Sequence, residues 1–400
     1  MSTAATNPGH PGHPDAADHE DTPEQIEEEY KTWKKNCPAM YQRISETVLD
    51  WPSLTVEFLD RAVASASDGD VHEQLLLGTH TDAAQNHLLH SQVRFSAKGK
   101  VSSQVEVLKR YRHEGEVNRA RVSPQDDALV ATASNSGTVY LYRLSDAEDN
   151  DTHIAQLKFH SENGYGLAWN KTVSNTLLSS ADDGTVAIWD VADPTAKPRT
   201  FQPSSDIVND VAWQDASGAL FGAAAEDKQL YLYDTRVQGE APTLAHNVHD
   251  APINTLAFHG EYMVATGSSD HSVVLSDLRY IKRRLHTLIG HAGAVSTLHW
   301  APTPALGGRV LASSGADRRV ILWDLSRIGQ EQSQEDAEDG APELLFMHGG
   351  HTSAVTEFAW SKRTDWLAAS VSDDNIVQVW QPTLGVVGRA PVDVADSDLE

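Results

Sequence analysis

A motif of roughly 45 residues recurs along this chain, and few folds accommodate such a period. Its fullest copy runs from Gly290 to Asp324, GHAGAVSTLHWAPTPALGGRVLASSGADRRVILWD. It opens on Gly-His and closes on Trp-Asp, with three runs of alternating apolar and polar residues between them: Val295 to Trp300, Val310 to Ser314 and Val320 to Trp323. Pro, Gly and Asp separate the runs, so they read as antiparallel strands. A unit this small cannot bury both of its faces alone.

Asp317 stands six residues before Trp323. The same offset links Asp183 to Trp189, Asp227 to Tyr233, Asp270 to Ser276 and Asp374 to Trp380, with Ser136 to Tyr142 as a degenerate copy. Successive markers are 47, 44, 43, 47 and 57 residues apart. A period of about 40 to 45 residues with these ends is the mark of four-stranded propeller blades. Six copies are readable, and strand-like runs between Leu75 and Tyr111 supply a first blade. The expected fold is therefore all-β, a seven-bladed β-propeller. The last copy ends near Gln381 with too little chain for a fourth strand, so Leu54 to Leu59 is expected to complete that blade from the other end of the chain. Closure of this kind removes exposed sheet edges.

The repeat argues for one ring with tails over the roughly two to four domains that the length alone suggests. Its expected span is 50–381, with a disordered tail at 1–21, an N-terminal helix at 22–49 and an acidic C-terminal tail at 382–400. Cys37 is the single cysteine, which excludes an internal disulfide and suits a reducing compartment. No apolar run is long enough to cross a membrane as a helix, and no secretory leader is readable. The 57 acidic residues outweigh 31 basic ones, for a net charge of -26. That balance opposes direct nucleic-acid binding and favours a basic partner.

In the first tail, His10, His13 and His19 lack any fixed geometry and are expected to hold no metal; no cofactor motif is present. Thr22-Pro23-Glu24-Gln25 is a helix start, with a capping Thr, Pro at the first helical position and Gln three residues after the cap. Ile26, Tyr30, Trp33, Cys37, Tyr41, Ile44 and Val48 then follow at spacings of three and four as one apolar stripe, which Pro38 should kink. The second irregularity is the long step after Asp317. Its excess is an acidic insertion loop in the sixth blade, residues 327–346, RIGQEQSQEDAEDGAPELLF. Glu331, Glu335, Asp336, Glu338, Asp339 and Glu343 lie in it, with no basic residue after Arg327. Ring closure makes the sixth and seventh blades neighbours, so helix and insertion are expected to flank one groove, suited to a basic amphipathic helix.

His291, Ser313, Asp317 and Trp323 resemble a catalytic set. The set recurs as His160, Ser179, Asp183, Trp189 and as His351, Ser370, Asp374, Trp380, with a partial copy at His249, Thr266 and Asp270. An enzyme needs one such set beside an oxyanion hole. One copy per blade points instead to hydrogen-bonded networks that pin the blades, and no catalytic residue is expected.

EEEYKTWKKNCPAMYQ, DWPSLTVEFL, LGTHTDAAQNHLL, HEGEVNRAR, ENGYGLAWN and EDAEDGAPELLF closely resemble the retinoblastoma-binding, histone-binding WD40 family. Members are subunits of chromatin assembly factor 1, type B histone acetyltransferase, histone deacetylase, nucleosome-remodelling and Polycomb complexes. The resemblance implies a non-catalytic histone-binding scaffold, monomeric within hetero-complexes, in the nucleus with a cytoplasmic pool. It places the first helix of histone H4 between the N-terminal helix and the acidic loop. Trp33, Pro38, Met40, Tyr41 and Ile44 would form the apolar side, and Glu335, Asp336, Asp339 and Gly340 the acidic side. Ala39 stands where the family usually has Phe, and Ala341-Pro342 where it has Pro-Pro, so a shallower groove is expected.

A second family site, on the upper face, takes basic peptides such as the histone H3 tail; Glu116, Asn118, Arg119, Tyr165, Asn254 and Asp373 match its pattern. Asn163, Asn209 and Ala294 replace acidic residues there and Ser296 an aromatic one. Each lost carboxylate removes about 1.5 to 3 kcal/mol of charge-assisted contact, so H3 recognition is expected to be weak. An alternative reading is a substrate receptor of a cullin-RING ubiquitin ligase, because Tyr233-Asp234-Thr235-Arg236 and Ser276-Asp277-Leu278-Arg279 resemble its Asp-x-Arg docking ends.

Overall fold

The computed structural model describes residues 21–61, 70–82, 85–96, 104–145, 151–302, 308–334, 337 and 340–388. Residues 1–20, with His10, His13 and His19, and most of the acidic C-terminal tail lie outside them, as do Glu335, Asp336, Glu338 and Asp339. The chain forms a seven-bladed propeller, each blade a four-stranded antiparallel sheet. Counting from the inner strand, blade one is Val56–Leu59, Val71–Gly78, Asn86–Phe95 and Glu106–His113. Blades two to six begin at Val117, Gly164, Val208, Ile253 and Val295.

The seventh blade corrects the sequence reading. Its inner three strands are Val355–Trp360, Ala368–Ser372 and Ile376–Pro382, and its outer strand is Tyr41–Val48, paired from Tyr41 with Pro382 to Val48 with Ile376. Leu54 to Leu59 does not complete it; Val56–Leu59 is the innermost strand of blade one. The apolar stripe misled because Tyr41, Ile44 and Val48 keep helical spacing while the chain there is extended. Burial follows a period of two instead: Tyr41, Ser45 and Thr47 are buried and Val48 is 72% exposed. The helix, α1, is Pro23–Met40, and Pro38 lies inside its last turn. The expected capping box is present, with Thr22 and Gln25 exchanging hydrogen bonds.

Each marker sits in the turn between a blade's second and third strands. The next residue is left-handed in all six copies: Gly137, Gly184, Lys228, His271, Arg318 and Asn375. Four of these carry a side chain, at a cost of roughly 1–2 kcal/mol each. The marker side chain offsets that cost by accepting the backbone N–H two residues on, as Asp317 does from Arg319 at 3.2 Å and Asp374 from Ile376 at 2.9 Å.

Two hoops of hydrogen bonds join the blades. On the upper face, where the inner strands begin, Asn118 donates to the Gly164 carbonyl, Asn209 to Ile253, Asn254 to Val295, Ser296 to Val355 and Thr356 to Ser53. On the lower face, indole N–H groups reach back one blade, from Trp169 to Arg121, Trp213 to Ala168, Trp300 to Ala257 and Trp360 to His299. Apolar cores fill the wedges between neighbouring blades, as where Phe58 and Leu75 of blade one meet Val371 and Val379 of blade seven. Between the hoops, Glu357 in the central channel accepts from Thr55 at 2.7 Å and the Val56 N–H at 2.9 Å and pairs with Arg121. Arg119 turns inward to Asp210 at 2.7 Å.

Candidate functional site

Helix α1 lies against the outer edges of blades six and seven. Trp33 and Cys37 face inward, joining Tyr41, Phe346, Trp380 and other residues in one core. The Trp33 indole donates to the Tyr41 hydroxyl at 2.9 Å, and that hydroxyl lies 2.8 Å from His348 Nδ1. Burial holds His348 well below its usual pKa, so the ring is neutral and accepts the tyrosine proton. His348 stacks on Trp380 at 4.3 Å. Gly350 makes the close approach possible: a Cβ there would meet the Trp33 ring at 2.6 Å. Burial pushes the Cys37 thiol up to about 11, which leaves it unreactive at neutral pH.

The two ends of α1 are tied separately. At the upper end, Glu29 pairs with Arg318 at 2.9 Å and Arg319 at 2.7 Å in the marker turn of blade six, and Asp21 pairs with Arg318 at 2.7 Å. Partial burial opposes ionisation of Glu29, but the two guanidinium groups outweigh it and hold its carboxyl below the usual range. At the lower end, the Met40 carbonyl accepts from the Thr383 N–H at 2.9 Å, and a short helix, α2, follows at Leu384–Val387. Its Val387 packs into the same core, whereas Leu384 is 63% exposed. An acidic C-terminal tail from residue 382 was expected; the apolar run LGVV is the signal for this helix.

The insertion leaves the lower end of blade six after Asp324 and returns at Leu344–His348, the strand that α2 contacts. Of the expected groove residues, Trp33 and Tyr41 are buried and position the helix, Met40 and Ile44 are half-buried, and Pro38 is exposed beside Ala39. Gly340 lies at the end of the insertion with a left-handed φ of 134°. Glu335, Asp336 and Asp339 lie outside the described residues. Glu343 turns away from α1 and is buried against His286 of blade five at 2.7 Å.

The expected upper-face residues are partly spoken for. Asn118 and Asn254 serve in the upper hoop, and Arg119 is paired in the channel. Glu116 contacts His80 at 3.1 Å. Burial raises the Asp373 carboxyl and the Tyr165 hydroxyl. Asn163 and Asn209, which replace acidic residues, bond Asn118 and the Ile253 carbonyl, so their amides tie neighbouring blades.

The repeated His-Ser-Asp-Trp sets are closed networks. His291 bridges Asp317 at 2.9 Å and Ser313 at 2.7 Å, and Trp323 donates to Ser313 at 2.8 Å. His351, Ser370, Asp374 and Trp380 match it, and in blade three Thr185 mediates between His160 and Asp183. His249, Thr266 and Asp270 form the partial copy, where Ser276 replaces the indole. Burial would raise the Asp317 carboxyl, but the bond from His291 keeps it low. Ser313→Ala strands two buried donors, so it is expected to cost about 1–3 kcal/mol, seen as a lower midpoint in urea unfolding. Arg236 and Arg279 each fold back onto their own Asp, Asp234 and Asp277, at 2.6 Å, which locks the turn.

The ring, its one-per-blade networks and its helix-tied last blade define a WD40 propeller with an N-terminal helical strap. The family model for histone-binding protein RBBP4 and its counterpart in the CAF1 complex matches residues 28–96, and the WD domain, G-beta repeat model matches 151–190, 282–324 and 342–381. The chain is 38% identical to the histone acetyltransferase type B subunit 2 of Debaryomyces hansenii over 94% of its length and 95% of that protein's. The protein of the same name from Kluyveromyces lactis is 39% identical over 95% and 97%, and that from Candida glabrata 37% over 94% of both. The chain belongs to this family of histone-binding WD40 proteins.

Proposed function

We propose that this chain is a non-catalytic histone-binding subunit of a type B histone acetyltransferase complex, and that the first helix of histone H4 is its main ligand. The observation that carries the reading is the docking of α1 across blades six and seven, its lower end beside α2 and the strand that follows the insertion. Pro38, Met40 and the exposed Leu384 supply apolar contact at that end, and the insertion supplies carboxylates from Glu335, Asp336 and Asp339. A basic amphipathic helix complements both. The net charge of -26 speeds its approach. The upper face takes the histone H3 tail more weakly, since two of its expected acidic positions are amides used in blade stitching. The same scaffold serves chromatin assembly factor 1, deacetylase or Polycomb assemblies, in the nucleus with a cytoplasmic pool.

Replacing Glu335, Asp336 and Asp339 together by Ala is expected to weaken binding of an H4 first-helix peptide by about tenfold or more at low salt. Fluorescence anisotropy reads the loss, and the melting curve should not move. Unchanged affinity would refute the groove.

A further inference from the structure

On the lower face, the turn joining the third and fourth strands of blade five reads DLRYIKRRLH, with four basic residues and one acidic in ten. Such density is foreign to a chain of net charge -26. Two backbone hydrogen bonds shape the turn, Tyr280 N–H to the Asp277 carbonyl and Arg283 N–H to the Tyr280 carbonyl, both 2.9 Å, and Ile281 anchors it by burial. Arg279 is spent on Asp277 and lies over the Tyr262 ring at 4.4 Å. Lys282, Arg283 and Arg284 are exposed, and among the described residues none of them makes an ion pair. Beside them Tyr280 is 70% exposed and Leu285 52%.

We propose that this turn is a docking surface for an acidic segment of a partner protein, one that alternates carboxylates with apolar side chains. Three unpaired cations on one short turn complement a few carboxylates, and Tyr280 and Leu285 give the apolar residues between them a seat. Duplex nucleic acid fits less well. Useful affinity there takes roughly 6–10 phosphate contacts, and the surrounding surface repels a polyanion over long range. The same cations repel histones, so the surface and the histone groove are separate and can be filled together. The inference does not rest on the histone reading.

The test uses the full chain and a labelled peptide of about a dozen residues alternating Glu and Leu, followed by fluorescence anisotropy at low salt. Lys282→Glu, Arg283→Glu and Arg284→Glu combined should weaken binding by about tenfold or more, and Tyr280→Ala with Leu285→Ala should weaken it severalfold at high salt, where charge is screened. Binding of an H4 peptide should hold or tighten, and unchanged circular dichroism shows that the variants are folded. The proposal is overturned if charge reversal leaves the acidic peptide's affinity unchanged. It is equally overturned if a duplex DNA of about 20 base pairs binds this turn more tightly than the peptide, which would make the turn a nucleic-acid contact.

Discussion

Glu357→Ala is expected to destabilise the propeller by about 3–5 kcal/mol, a large share of the roughly 5–15 kcal/mol that holds a typical domain together. Glu357 is 1% exposed and links three blades at once, joining the start of blade one at Thr55 and Val56 and blade two at Arg121, with Arg119 3.6 Å away. Truncation would leave Arg121 buried without its counter-ion, and that orphaned charge dominates the cost. Burial alone would raise the Glu357 carboxyl, but the Arg121 and Arg119 charges prevail and lower it to about 2. Because the folded pKa lies below the unfolded value of about 4.3, the stabilisation is complete at neutral pH and is lost as pH falls from roughly 4 towards 2. Urea midpoints across that range should drop steeply for the native chain. They should drop less for Glu357→Gln, which has no proton to take up.

Trp33→Ala should act locally. A buried tryptophan reduced to alanine loses about 3–5 kcal/mol of packing and cavity energy. Trp33 also gives up the indole hydrogen bond that orients Tyr41 toward His348. α1 sits on the propeller's flank, so the expected outcome is release of the helix with the ring intact. Hydrogen exchange should show amides from Ile26 to Cys37 losing protection while those of Val355–Trp360 keep theirs. Histone H4 affinity should fall by at least about tenfold, near 1.4 kcal/mol. Retention of full affinity with a released helix would remove α1 from the binding site.

The repeat was legible because it is written in local chemistry. A marker Asp, a left-handed residue and a closing Trp specify one turn and two strands whatever surrounds them, as at Asp317, Arg318 and Trp323. The assignment of strands to sheets is not local, and there the reading failed. Val56, Phe58 and Leu59 are all nearly fully buried, as an inner strand flanked by two blades must be, but alternation alone cannot tell an inner strand from an outer one. Tyr41–Val48 was mistaken for helix because a spacing of three and four fits both a helical stripe and, by coincidence, the apolar residues of this strand. The β-branched Ile44, Thr47 and Val48 just after Pro38 were the available warning. The meeting of α1 with blade six was readable once the ring was assumed. The inward pairing of Arg119 with Asp210 was not, because their contact spans 91 residues and two blades.

The strand that completes the seventh blade leaves the ribosome early and finds its partner, Ile376–Pro382, only at the other end of the message. At about 5–20 residues per second, more than 300 residues of synthesis take on the order of tens of seconds. Throughout that wait Tyr41–Val48 carries an unpaired edge and α1 has no wall to rest on, so nascent chains are natural clients for chaperones. A translational stall before Trp380 would leave six blades assembled beside an open seam, a species prone to join a neighbour through the vacant edge.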